Sequence, residues 1–194
     1  MGKIRDSGMP EASTWDGFFA PERILDALNC RDLEHDIVDF GCGYGTFTLA
    51  AARRTAGTVH ALDIEADMID RVRDRAGVEG LANIRTECRD FIRNGTGLAD
   101  ASCDYAMLFN ILHAEAPLEL LREAARLLRP GGRIGIVHWV HDRPTPRGPD
   151  PAIRPRPDQC CAWLEACGLS TEVPGLPLPP HHFGVVGRRA PITR

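Results

Sequence analysis

At 194 residues the chain has room for one α/β domain with a sizeable core, and too little for two. Its 43% hydrophobic and 26% charged content are those of a soluble globular protein, and a net charge of −4 gives no global basic footprint for nucleic acid. No apolar run approaches the ~20 residues of a membrane span, and the first residues lack the basic–apolar–small pattern of a secretory leader.

In chain order, residues 1–20 read as an N-terminal arm. Trp15, Phe18 and Phe19 are clustered there, either to cover a sheet edge or to close over a site. A helix is expected over 22–29. Residues 37–40 form a short apolar run of the kind a buried parallel strand shows, and a helix is expected over 46–52. Between them stand Gly41, Gly43 and Gly45, which let the backbone turn with positive φ and approach a ligand without a Cβ in the way. Residues 58–63 make a second strand ending on the carboxylate of Asp63. A helix over 66–76 carries Met68, Ile69 and Val72 on one face and stops at Gly77.

Residues 83–88 are a less apolar strand, suited to an edge, and lead to Asp90 and Phe91. Residues 103–109 are strongly apolar and end at Asn110 and His113. The next helix, 117–128, is expected to turn Leu118, Leu121, Ala125 and Leu128 inward. Arg129-Pro130-Gly131-Gly132 stops it before a strand over 133–140. Residues 141–158 are so rich in proline and arginine that an extended, stiff loop is expected. A helix closed by Gly168 and two short strands, 169–173 and 183–186 with a Pro-rich turn between, complete the chain.

A strand, a glycine turn and a helix at the carboxyl edge of a parallel sheet form a nucleotide-type site. The turn is G-x-G-x-G, with Thr46 where a dinucleotide fingerprint has its third glycine. Asp39 precedes it, a poor neighbour for a pyrophosphate and a good one for a cationic ligand such as a sulfonium or an α-amino group. The pattern D-x-G-x-G-x-G resembles motif I of the class I S-adenosylmethionine-dependent methyltransferases. The phrase Leu127-Leu128-Arg129-Pro130-Gly131-Gly132-Arg133 is similar to that family's helix–L-x-P-G-G–strand junction. The overall pattern looks most similar to small bacterial methyltransferases related to the quinone-biosynthesis C-methylases.

The resemblance implies a Rossmann-like three-layer α/β sandwich, a seven-stranded and mostly parallel sheet with a C-terminal antiparallel hairpin, as a single domain over 1–194. It implies S-adenosyl-L-methionine as cofactor, held by Asp39, Gly41, Cys42, Gly43, Asp63, Ile64, Met68, Asp90, Phe91 and Asn110. Asp63 is expected on the ribose hydroxyls, Asp90 and Phe91 at the adenine, and Asn110 near the methionine part. Asp63 is placed as well to cap the following helix, and Phe91 to be a core aromatic. His113 and His141, with His138 behind them, are the candidate bases. The 141–158 loop lies on the substrate side, where His141, Arg147, Arg154 or Arg156 would grip an acidic acceptor or simply face solvent.

The expected partner is a small-molecule methyl acceptor, with no nucleic acid and no membrane span; the sequence leaves monomer and homodimer both open. The alternatives are a non-catalytic adenosyl-binding module and an NAD-linked oxidoreductase. Seven cysteines, odd in number and without a C-x-x-C pair, read as reduced thiols in a cytoplasm, and neither Cys160-Cys161 nor His181-His182 has a zinc spacing. Lys3 is the sole lysine among many arginines, a bias that points to GC-rich coding and a bacterial source.

Overall fold

The computed structural model describes residues 11–192. Its framework is a seven-stranded sheet in the order β3-β2-β1-β4-β5-β7-β6. The strands are β1 (Asp36–Phe40), β2 (Val59–Asp63), β3 (Ile84–Cys88), β4 (Cys103–Phe109), β5 (Leu128–Trp139), β6 (Leu169–Leu178) and β7 (His182–Arg189). β1 pairs in parallel with β2 and β4, β2 with β3, and β4 with β5. β7 is antiparallel to both β5 and β6, which closes the sheet with the expected hairpin.

Among the described residues there are seven α-helices: α1 (Ala12–Asp16), α2 (Pro21–Ala27), α3 (Thr46–Ala52), α4 (Ala66–Val78), α5 (Phe91–Asn94), α6 (Pro117–Leu127) and α7 (Pro157–Ala166). One apolar cluster lies between the sheet and α6 with α7, and another between the sheet and α2 with α3. Helices therefore cover both faces. The central strands are buried along almost their whole length, as strands covered on both faces must be. α3 is buried at every position, which its small Ala and Thr residues allow.

Three local features depart from the sequence pattern. α6 buries Leu120, Leu121, Ala124 and Leu127, while Leu118 and Ala125 are half-buried and Leu128 already belongs to β5. The Gly131-Gly132 junction bulges against β4: a Cβ on Gly132 would meet the Asp104 carbonyl at 3.0 Å, so only glycine allows that approach. The last hairpin is longer than expected, because β6 runs through Pro174 and Pro177 instead of turning there. It is an edge strand, with irregular register, and an edge tolerates residues that cannot donate to a ladder.

Candidate functional site

The site lies at the carboxyl ends of β1, β2 and β4. Gly41, Gly43 and Gly45 all have positive φ, at 75°, 50° and 79°. A Cβ on Gly41 would sit 3.0 Å from Ile111, and one on Gly45 would sit 3.1 Å from Val72, so the turn is strained for other residues and tightly covered. The Gly41 and Cys42 N–H groups donate to the Leu62 carbonyl at 2.8 and 3.0 Å, which seats the turn on β2.

Two buried carboxylates face this turn. Asp63 accepts the Gly43 N–H at 2.9 Å and the Glu65 N–H at 3.0 Å, so it ties the turn to the start of α4. Burial nevertheless raises its pKa above the usual carboxylate value. Asp39 is 3% exposed and accepts the Thr48 hydroxyl at 2.6 Å. Burial pushes its pKa up to about 7, the Thr48 bond opposes the rise, and the neighbouring Asp63 adds to it. Nothing in the sequence signalled Thr48; the contact exists because α3 starts directly after the turn and lies under it.

A cavity of about 30 Å³ is lined by Asp39, Gly41, Cys42, Gly43, Asn110 and four residues that the sequence did not assign to the cofactor: Trp15, Thr46, Phe47 and Phe109. Asn110 has φ of 56°, and both atoms of its buried amide lack a hydrogen-bond partner. Both atoms of that buried amide are thus open to a polar ligand at the lip of the glycine turn.

The remaining expected residues surround this centre at different depths. Ile64 follows β2 and is 41% exposed; Met68 is buried on α4. The Asp90 side chain accepts the Arg93 N–H at 3.2 Å and so caps α5. Phe91 is buried and packs edge-on against Phe40 at 5.3 Å, within the core beneath β1.

Residues 11–20 of the arm are docked over the site, and the rest of the arm lies outside the described residues. Trp15 and Phe18 pack on Trp139 at 6.4 and 5.5 Å, and Phe19 packs on Phe47 and His182 at 5.2 and 4.6 Å. Asp16 accepts the Thr46 hydroxyl at 2.5 Å and lies 3.5 Å from Arg75.

Beyond β4 and β5 the polar groups change character. His113 Nδ1 lies 3.3 Å from Nε2 of His138, which is fully buried. Burial lowers the pKa of both, and that of His138 falls to about 3. His141 is half-buried in the loop after β5. Arg154 is 7% exposed and donates to the carbonyls of Val140 and Pro149 at 2.8 Å each, and of Arg147 at 3.5 Å. It thereby clips the Pro/Arg-rich loop together. Arg156 pairs with Asp158 on the surface.

The chain is similar to known proteins in both sequence and fold. A profile described as a methyltransferase domain matches residues 37–132. A dimethylglycine N-methyltransferase of Parasynechococcus marenigrum is 34% identical over 151 residues, which cover 71% of this chain and 52% of that protein. A ubiquinone/menaquinone biosynthesis C-methyltransferase of Ruegeria is 33% identical over 110 residues, covering 53% of this chain and 42% of that protein. The chain thus spans about half the length of these curated relatives. The crystal structure of a SAM-dependent methyltransferase from Aquifex aeolicus superposes with a TM-score of 0.78 at 22% identity, covering 92% and 93% of the two chains.

Proposed function

We propose that this chain, which belongs to the class I S-adenosylmethionine-dependent methyltransferases, transfers a methyl group from that cofactor to a small-molecule acceptor. The observation that carries the reading is the glycine turn itself, flanked by buried Asp39 and Asp63 and by the open amide of Asn110. These residues fit the cofactor. Asp39 and Asn110 suit its amino-acid end and Asp63 suits the ribose; Ile64 and Met68, with Asp90 and Phe91 at the start of α5, would take the adenine. When bound, S-adenosylmethionine would supply an activated sulfonium methyl for an acceptor's lone pair, with a neutral thioether as the leaving group.

Because that electrophile is already activated, the protein's part is to orient the reactants, exclude water and accept a proton where the acceptor carries one. The arm serves as the cover. The cavity beneath Trp15 beside the glycine turn is only about 30 Å³, so lifting of the arm would widen the amino-acid end of the site for the cofactor to enter. The Pro/Arg-rich loop, which Arg154 holds together, would form the outer wall on the acceptor side.

Calorimetric titration with S-adenosylhomocysteine, with NADH in parallel, tests the cofactor. Micromolar binding of the first alone is expected. Binding of NADH alone would favour the oxidoreductase alternative, and binding of neither by the folded protein would favour a module that has lost the cofactor. A screen of acceptors with labelled methyl donor then separates an enzyme from a non-catalytic binder.

A further inference from the structure

The two histidines beyond β4 and β5 form a chain of contacts that runs from the Trp139 carbonyl through His138 to His113. His138 Nδ1 lies 3.3 Å from the carbonyl oxygen of Trp139. A carbonyl oxygen only accepts, so His138 carries its proton on Nδ1. Buried without a counter-ion, the ring is neutral, and its Nε2 is a bare lone pair. The contact at 3.3 Å between that atom and His113 Nδ1 is then a hydrogen bond donated by His113. His113 is neutral for the same reason, with burial as the larger cause and the Arg154 charge as the smaller. Its Nε2 is left as a lone pair, with no partner among the described residues.

The placement gives that lone pair a use. His113 shares its loop with Asn110, whose amide lines the cavity, and with Ile111, which lies against the glycine turn. Nearby stands Arg154, a buried cation whose hydrogen bonds among the described residues all go to carbonyls, with the charge of Asp150 near enough to offset part of its own. Its field reaches His113, His138 and His182. A positive field beside a neutral base favours an acceptor whose conjugate base is an anion.

We propose that His138 is a positioning residue that fixes His113 as the Nδ1–H tautomer, so that His113 Nε2 takes the proton of a hydroxyl-bearing acceptor of phenol or enol type. The O–H bond breaks, an N–H bond forms on Nε2, and the electron pair left on oxygen becomes the nucleophile. The imidazolium afterwards returns its extra proton to water. This rests on the methyltransferase reading for the step that follows, but the tautomers are observable without any cofactor.

The test begins with the full chain, labelled with ¹⁵N-histidine and assigned with single variants, in long-range ¹H–¹⁵N spectra at pH 7. Both His113 and His138 are expected as Nδ1–H tautomers. An Nε2–H or doubly protonated His113 would overturn the proposal. His138→Gln keeps an acceptor near the Nε2 position and should preserve the His113 tautomer, whereas His138→Leu should release it towards Nε2–H. A folded His138→Leu variant with His113 unchanged would show that His138 sets nothing. On a panel of phenols, enols and amines, methylation of the hydroxyl acceptors should fall at least about 100-fold in His113→Ala, with S-adenosylhomocysteine affinity unchanged. Methylation of amines alone, at a rate indifferent to His113, would overturn the acceptor class. Loss of S-adenosylhomocysteine binding in the wild-type chain would count against the cofactor reading and leave the tautomer result standing.

Discussion

The carboxyl edge of the sheet has two halves that burial has treated in opposite ways. At β1 and β2 it raises the carboxylates Asp39 and Asp63; at β4 and β5 it lowers the imidazoles His113 and His138. The physical cause is the same, since low dielectric disfavours whichever form is charged. The consequences differ because the surroundings differ. Thr48 and the N–H groups of Gly43 and Glu65 donate to the acids and oppose their neutralisation, so that half keeps a negative potential for a cationic ligand to complete. Among the described residues the imidazoles hydrogen-bond only to each other and to a carbonyl, beside an arginine that makes its hydrogen bonds to carbonyls. One half is built to hold a positive charge, the other to accept a proton from something that becomes negative.

Removing one of the two carboxylates is the bluntest way to break that contrast. Asp63→Ala deletes the expected ribose acceptor and also frees the Gly43 and Glu65 N–H groups that hold the turn. A loss of about 1–3 kcal/mol in S-adenosylhomocysteine affinity is expected by calorimetry. An unchanged dissociation constant in a folded variant would remove Asp63 from the ribose.

Changing pH sharpens the contrast without a mutation. With a pKa of about 7, Asp39 is largely protonated at pH 6 and ionised at pH 8. A ligand whose α-ammonium prefers the ionised carboxylate should bind about tenfold more tightly at pH 8 than at pH 6, and should release a proton near pH 7. Calorimetry in buffers of different ionisation enthalpy reads that proton directly. The sign reverses for stability. A carboxyl raised on folding stabilises the protein below its unfolded value of 3.8, and that contribution is lost as pH rises through about 7. Asp39→Asn should therefore raise the melting temperature at pH 8 while flattening the pH dependence of binding. A variant that kept the tenfold pH dependence would assign it to another group.

The acidic half was largely legible in the sequence and the imidazole half was not. A glycine turn, the acid before it and the acid ending the next strand are consecutive-chain signals, because one βαβ unit carries all three. The His113–His138 contact depends instead on how β4 and β5 pair, which spacing along the chain does not encode. Arg154 shows the same limit: the loop's composition left a solvent-facing cation or an anion grip open, but the folded loop buries Arg154 and turns its donors to its own carbonyls. The extension of β6 through Pro174 and Pro177 was hidden because its tolerance comes from lying at the sheet edge. Phe91 is a subtler case. Its place after β3 was foreseen, yet its ring is turned to Phe40 in the core, where one side of a buried aromatic is indistinguishable in sequence from the other.

The smallest effect concerns the arm, which spans both halves: Asp16 is bonded to Thr46 beside the acids, and Phe18 lies on Trp139 at the end of β5. If the arm must lift to admit the cofactor and settle again over it, weakening its latch should speed both entry and exit. Asp16→Ala removes the Thr46 bond and a partly exposed ion pair with Arg75, each a modest contribution. Association and dissociation rates for S-adenosylhomocysteine are expected to rise together by about two- to fivefold, so the dissociation constant moves little. Stopped-flow fluorescence follows this through Trp15 leaving and rejoining Trp139, with Trp15→Phe as the control. Deletion through Phe19 removes the cover altogether and should accelerate dissociation more than association, weakening affinity. Rates indifferent to both changes, in folded proteins, would make the arm a patch over apolar surface and leave the cavity to widen by some other movement.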